Sequence, residues 1–332
     1  MFSAFLIRIL LAYFQYSGDV RNHIAWADSF LSQIAGFYGR PVPGFTHPNY
    51  PPLTIYFFSI SRVLYFWFAQ ASTFLNNAIG LFPSNLIFLL PTLNMQAAFM
   101  KIPAIFADLG IGVLIYKILS RRKNSRPLLY ATLFLLNPAV IYISTVWGQV
   151  ESLPIFFILL SIYLADSDTD KSYYLSHLSY LFAALSKQTA LWLLPALMIY
   201  WFKRSDLKAL LKGLLLQFAA FLLLYLPFTG FSLQSIPLYL TTLKGSSDLI
   251  SDAAWNVWHF IYGGKRISDS AFLLGLSVRL WSILILSAVY FKVLLSYLSN
   301  KKQTIFSVLL ILSLSAFFFQ TRVHERHLFP AL

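Results

Sequence analysis

The chain has 332 residues, of which 58% are apolar and 18% aromatic, and its mean hydropathy is +0.68. A sequence this apolar has too little polar surface for a soluble globule and suits a lipid bilayer. Its net charge of +13 lies mostly in short loops, which is a membrane-topology pattern and argues against nucleic acid as a partner; with no cysteine there is no disulfide framework and no thiolate metal site.

The chain is apolar from its second residue, with no charged leader region and no small-residue cleavage site, so 1–16 reads as a short span and not as a signal peptide. Residues 16–96 read as a first outer loop with juxtamembrane helices. Within it, 53–69 is apolar enough to cross, but a lone crossing would flip the following arginine loop. We therefore place 53–69 along the outer interface, and treat 73–95 (with Asn76, Asn77, Pro83, Asn85 and Pro91) as irregular. Further apolar runs follow at 97–119, 127–146, 152–165, 173–187, 189–202, 212–229, 271–298 and 304–320. Several are shorter than the ~20 residues a bilayer needs, so half-spanning or re-entrant pieces are expected. The runs are continuous and not alternating, which argues against a barrel. The expected fold is all-α, a polytopic transmembrane helical bundle of about 9–11 spans. It forms one membrane-embedded domain over 1–332, with 16–96 and 230–270 as long outer loops. The closing Leu328-Phe329-Pro330-Ala331-Leu332 looks like the start of another span, so a truncated chain is expected.

Three basic loops mark the cytoplasmic side: Arg121-Arg122-Lys123-Asn124-Ser125-Arg126, then Lys203-Arg204 with Lys208 and Lys212, then Lys301-Lys302. The run boundaries place all three together. Five polar clusters then share the opposite, outer side: Gly18-Asp19-Val20, His47 to Pro52, Gly148-Gln149-Val150-Glu151, Ser186-Lys187-Gln188, and Arg322 to His327.

Each cluster has a chemical and a structural reading. Asp19 follows the first span and could take a proton from a substrate hydroxyl, or it could cap the helix through Asn22–Phe30. Asp28 in the same aromatic helix is an additional candidate. Tyr50 opens a helix at Pro51-Pro52 and would face the outer surface with His47. Lys101 and Asp108, seven apart, share a helix face; Asp108 is intramembrane and either functional or a structural helix contact. Gln149 and Glu151 lie in a polar turn. Lys187, beside Gln188, interrupts a long apolar stretch and must find an anion, either a substrate phosphate or a carboxylate such as Glu151. Arg322, His324, Glu325 and Arg326 form the densest group, and arginine forks suit a lipid phosphate. No tight histidine spacing supports a metal site, so no metal ligands are assigned, and divalent-metal dependence stays open.

The ordered motifs carry a resemblance. A Gly-Asp with an aromatic helix precedes Tyr50-Pro51-Pro52-Leu53. Then come Ala107-Asp108-Leu109, Gly148-Gln149-Val150-Glu151 after Asn137-Pro138, Lys187-Gln188 before Ala190-Leu191, and His324-Glu325-Arg326 near the end. This order resembles the glycosyltransferase C superfamily, multi-span enzymes that use polyprenyl-phosphate sugars, and within it bacterial relatives of the second mannosyltransferase of GPI-anchor assembly. It is also similar to the dolichyl-phosphate-glucose glucosyltransferases of N-glycan assembly. Those place Asp where this chain has Asn49, and related bacterial sequences often have Asp where this chain has Glu151.

The resemblance implies transfer of a hexose, mannose first, from a polyprenyl-phosphate donor to an acceptor hydroxyl on a glycan, lipid or protein, with inversion at the anomeric carbon. Asp19 would be the base. Lys187, Arg322 and Arg326 would hold the leaving phosphate, His324 and Glu325 would shape its pocket, and Tyr50 and Gln149 would orient the sugar. No cofactor is expected besides the donor substrate. Membrane lipids are the surrounding partner, and the cell membrane, crossed many times, is the expected location. The alternatives are a transporter or lipid flippase with Lys101 and Asp108 on its pathway, and a non-catalytic assembly subunit.

Overall fold

A computed structural model of the chain describes residues 1–167, 169–231, 247–300 and 302–332. Part of the expected 230–270 loop, and Lys301 of the third basic loop, lie outside the described residues. The fold is all-α and polytopic. Four helices are long and apolar enough to cross a membrane, namely Pro52–Ala78, Leu93–Arg121, Leu207–Thr229 and Val278–Ser299. Pro127–Leu135 and Pro138–Trp147, bent by 45°, can form a fifth, broken span. Phe2–Phe14, Ser152–Ala165, Gln188–Phe202 and Ile305–Phe319 are apolar but shorter.

Local chemistry sets the boundaries. Pro51 and Pro52 start the helix Pro52–Ala78, because a proline costs nothing where the first-turn N–H has no intrahelical partner. Thr92, Asn137, Thr169, Asn256, Ser277 and Thr304 each accept a backbone N–H at a helix start. Two boundaries depart from the sequence reading. Pro52–Ala78 is one 27-residue helix, so the irregular segment expected from residue 73 begins only after Ala78, and its length and composition make it a candidate span. The run expected at 271–298 opens instead as a hairpin, Phe272–Leu273 paired with Leu276–Ser277, and the helix starts at Val278. Leu274 and Gly275 at the tip both have positive φ, which is type I′ turn geometry.

The described residues form two compact units. The first comprises Met1–Gln188 and the described part of Leu216–Leu243; the second comprises Thr189–Leu215 and the described part of Lys244–Leu332. In the first, α1 (Phe2–Phe14) is followed by α2 (Gly18–Ser32), which packs on α3 (Pro52–Ala78) over an aromatic core. Phe30 lies 5.0 Å from Phe228, and Tyr38 stacks on Phe228 at 5.2 Å. Each such buried ring contributes roughly 1.5–3 kcal/mol. This core fixes Asp19 in the first turn of α2 and Tyr50 just before α3. In the second unit, Val278–Ser299 packs on Ile305–Phe319, and a short 3-10 helix, Glu325–Ala331, packs on the latter.

Candidate functional site

In the first unit, four segments distant in sequence bring predicted residues together. Ser17 caps α2 by position and donates its hydroxyl to the Trp147 carbonyl at 2.7 Å, tying the start of α2 to the end of a π-helical turn, Tyr142–Trp147. Gly148 follows with φ +81, and a Cβ there would overlap the Val20 side chain and lie 3.2 Å from the Lys101 stem. Only glycine lets the chain turn so close to α2. That turn delivers Gln149, whose Nε2 donates to Asp19 Oδ2 at 2.5 Å. Gln149 Oε1 in turn accepts the Tyr50 hydroxyl at 3.0 Å. Asp19 is therefore not the helix cap; it is a first-turn carboxylate, favoured there by the helix dipole and aimed by an amide.

The next link is ionic. Lys187 Nζ lies 2.5 Å from Glu151 Oε1, with both side chains almost fully buried, and 5.6 Å from the centre of the Tyr50 ring. Lys187 stands at the C-cap of Asp170–Ser186, where its residue leaves the helix in extended conformation. Thr54 donates to the Ser186 carbonyl, joining that helix end to α3. Of the two anions open to Lys187 from sequence, the carboxylate holds it here. The array runs Asp19, Gln149, Tyr50, Lys187, Glu151, with Asp19 its partly exposed end. Gln149 is fully buried and engaged at both ends of its amide, so in this state it orients Asp19 and Tyr50 and not a sugar. The Gln188 amide lies 3.5 Å from the Asn49 carbonyl at the rim. His47 is exposed.

The remaining first-unit candidates have structural partners. Lys101 and Asp108 both lie on the Leu93–Arg121 span, with Lys101 at a one-residue interruption, still helical in backbone, ahead of Pro103. Lys101 is buried and donates to the carbonyls of Ala12 and Gln15. Asp108 pairs with Arg8 Nε at 2.9 Å and accepts hydroxyls from Ser144 at 2.6 Å and from Ser152. Asp28 forms a two-pronged pair with Arg62, at 2.7 and 3.0 Å, and Arg62 also donates to Gln96. Arg8 and Arg62 were missed in the sequence. Arg8 carried a readable signal, a single charge inside an apolar helix.

In the second unit, Arg322 grips Asp269 with two N–H groups, Nε at 2.7 Å and Nη2 at 3.2 Å, and Thr321 adds its hydroxyl at 3.2 Å. Hydrogen bonding to Asp269 pushes the Arg322 guanidinium still higher than its ordinary value, so it stays charged. Arg322 has φ +65, which places His324 against Asp252: their side chains are 3.4 Å apart, and their backbones form a bridge. The His324 N–H meets His327 Nδ1 at 3.1 Å, and His327 is edge-on to Trp192 at 5.8 Å. Arg326 is half-buried and Glu325 exposed. The free phosphate clamp expected of Arg322 is thus corrected: its fork is already matched to a carboxylate. Asp269 and Asp252 gave no spacing signal, because they meet the terminal cluster only in three dimensions. Among the described residues, no group of three or more His, Asp or Glu is arranged to hold a metal ion.

Comparison with known proteins gives no match: no protein family and no curated protein matches this chain by sequence.

Proposed function

We propose that this membrane protein is a glycosyltransferase of the glycosyltransferase C type, moving a hexose from a polyprenyl-phosphate donor to an acceptor hydroxyl with inversion. The observation that carries the reading is Asp19, a partly exposed carboxylate aimed by the Gln149 amide. A general base must be reachable by substrate and fixed in orientation, and Asp19 meets both needs. Asp19 takes the acceptor proton as the acceptor oxygen attacks the anomeric carbon, and the donor phosphate leaves with the bonding electrons. The resemblance favours mannose as the sugar and the outer face of the cell membrane as the place. Cations near the leaving group stabilise it most where water is excluded. Lys187, sealed against Glu151, acts on Tyr50 and the Gly148 turn instead of on phosphate directly.

The transporter alternative rested on Lys101 and Asp108. Both are locked by internal partners and sealed from solvent, as a structural role requires. The test is a panel of radiolabelled polyprenyl-phosphate mannose, glucose, galactose and arabinose, given to membranes containing the protein. Label entering a glycan, lipid or protein product supports transfer. Label that only crosses the bilayer, or stays on donor throughout the panel, overturns it.

A further inference from the structure

Among the described residues, nothing covers the apolar side chains that the hairpin at 272–277 presents. Phe272 is 76% exposed and Leu274, at its tip, 87%. Strand alternation turns Phe272 and Leu273 to opposite faces, and Leu274 stands out at the turn itself. Leu273, between the two, turns inward and packs with Trp258, Val278, Trp281 and Ile285. The hairpin is also held firmly. The Trp281 indole N–H donates to the Leu273 carbonyl at 2.8 Å, the Val278 N–H to the Ala271 carbonyl at 2.8 Å, and the Arg279 N–H to the Asp269 carbonyl at 2.9 Å. The exposed residues are therefore displayed from a fixed scaffold and cannot fold back into the unit.

What covers them follows from what comes next in the chain. Ser277 ends the hairpin and caps Val278–Ser299, a span candidate with little of its surface buried. Its first turns carry exposed Leu280, Ile283 and Leu284. The start of a span lies at the bilayer boundary, and three residues of chain reach at most about 11 Å. The tip at Leu274 and Gly275 therefore sits in or next to the headgroup layer. Lys265 and Arg266, both exposed, lie earlier in the same loop and mark its polar stretch. A soluble partner would need to reach an apolar tip that already lies at the membrane surface.

We propose that this hairpin is a lipid-dipping anchor, with Phe272 and Leu274 inserted into the bilayer interface beside the head of the Val278–Ser299 helix. It holds the 247–277 segment at a fixed depth and does not depend on the glycosyl-transfer reading.

The absence of cysteine makes the test clean. Leu274→Cys and Phe272→Cys are made separately in the full chain, labelled with a nitroxide and reconstituted in phosphatidylcholine–phosphatidylglycerol vesicles. Lys265→Cys serves as the water-side control. Collision with oxygen and with a water-soluble nickel chelate is measured by power saturation. At 272 and 274 oxygen should win over the chelate several-fold, with the order reversed at 265. Chelate access at 272 or 274 equal to that at 265 overturns the proposal. So does a label shielded from both reagents, which would show protein covering the tip. If one variant does not fold, the other tests the same insertion.

Discussion

Arg8 Nε lies 2.9 Å from Asp108 Oδ2, and both side chains are sealed from solvent. Asp108 also holds Ser144 in the π-helical turn and Ser152 at the start of the next helix. The pair therefore braces both sides of the Gly148–Glu151 turn. Removing one partner strands a buried charge, so Arg8→Leu should cost about 3–5 kcal/mol. Arg8→Met combined with Asp108→Leu should recover most of that loss. Unfolding midpoints in detergent check it, and a single variant within about 1 kcal/mol of the parent would contradict the bracing role.

Lys187 and Glu151 should behave as a unit. The pair is buried and its members approach within 2.5 Å, so the two single substitutions share one interaction. Lys187→Met and Glu151→Gln should each destabilise, and the double variant should fall short of their sum by about 0.5–3 kcal/mol. A thermal double-mutant cycle reads this directly. Additive effects would mean that Lys187 draws its stability from something other than Glu151.

Much of the helical frame was legible because apolar run length is a strong signal; Ser152–Ala165 matches its run, and Ile305–Phe319 comes within a residue at each end. The misses share a cause. The helix Pro52–Ala78 continues through polar Gln70, Ser72, Thr73, Asn76 and Asn77 because it packs on α2 and on the Leu93–Met100 helix, which hydropathy does not register. The hairpin at 272–277 was hidden because its residues are as apolar as the helix that follows. In the site, Asp19, Gln149, Glu151 and Lys187 could be picked out, since each is polar at the end of an apolar run. Their pairing was only partly readable: Glu151 was among the anions considered for Lys187, whereas Arg8, Arg62, Asp252 and Asp269 meet their partners across long stretches of chain.

Gly148 gives a test that separates backbone strain from crowding. Its φ of +81 is unfavourable for any side chain, and an added Cβ would overlap Val20 Cγ2. Gly148→Ala should therefore destabilise by the conformational penalty, roughly 1–2 kcal/mol, plus a steric part. Val20→Ala in the same chain removes the steric part and leaves the conformational one. Relative to Val20→Ala alone, the glycine substitution should then cost less, though not nothing. An unchanged cost would show that Val20 does not limit the approach, and no cost at all would show that the turn relaxes freely.

Asp19 and Gln149 should separate as base and positioning residue. Asp19 is partly exposed in the first turn of its helix, so Asp19→Asn should leave abundance unchanged and cost no more than about 1 kcal/mol of stability, the dipole contribution of its charge. Losing a general base costs about 10²–10⁴-fold in turnover. Gln149→Leu keeps the carboxylate but removes the amide that aims it and the acceptor for the Tyr50 hydroxyl. Its turnover should fall less, roughly 10–100-fold, as expected for a base displaced by an ångström or so. A purely structural Gln149 would lower the amount of folded protein and spare the turnover of what remains, so rates are normalised to folded protein. If Asp19→Asn keeps more than a tenth of the parent rate, another group takes the acceptor proton. If Gln149→Leu equals the parent after normalisation, the amide does not position Asp19 during turnover.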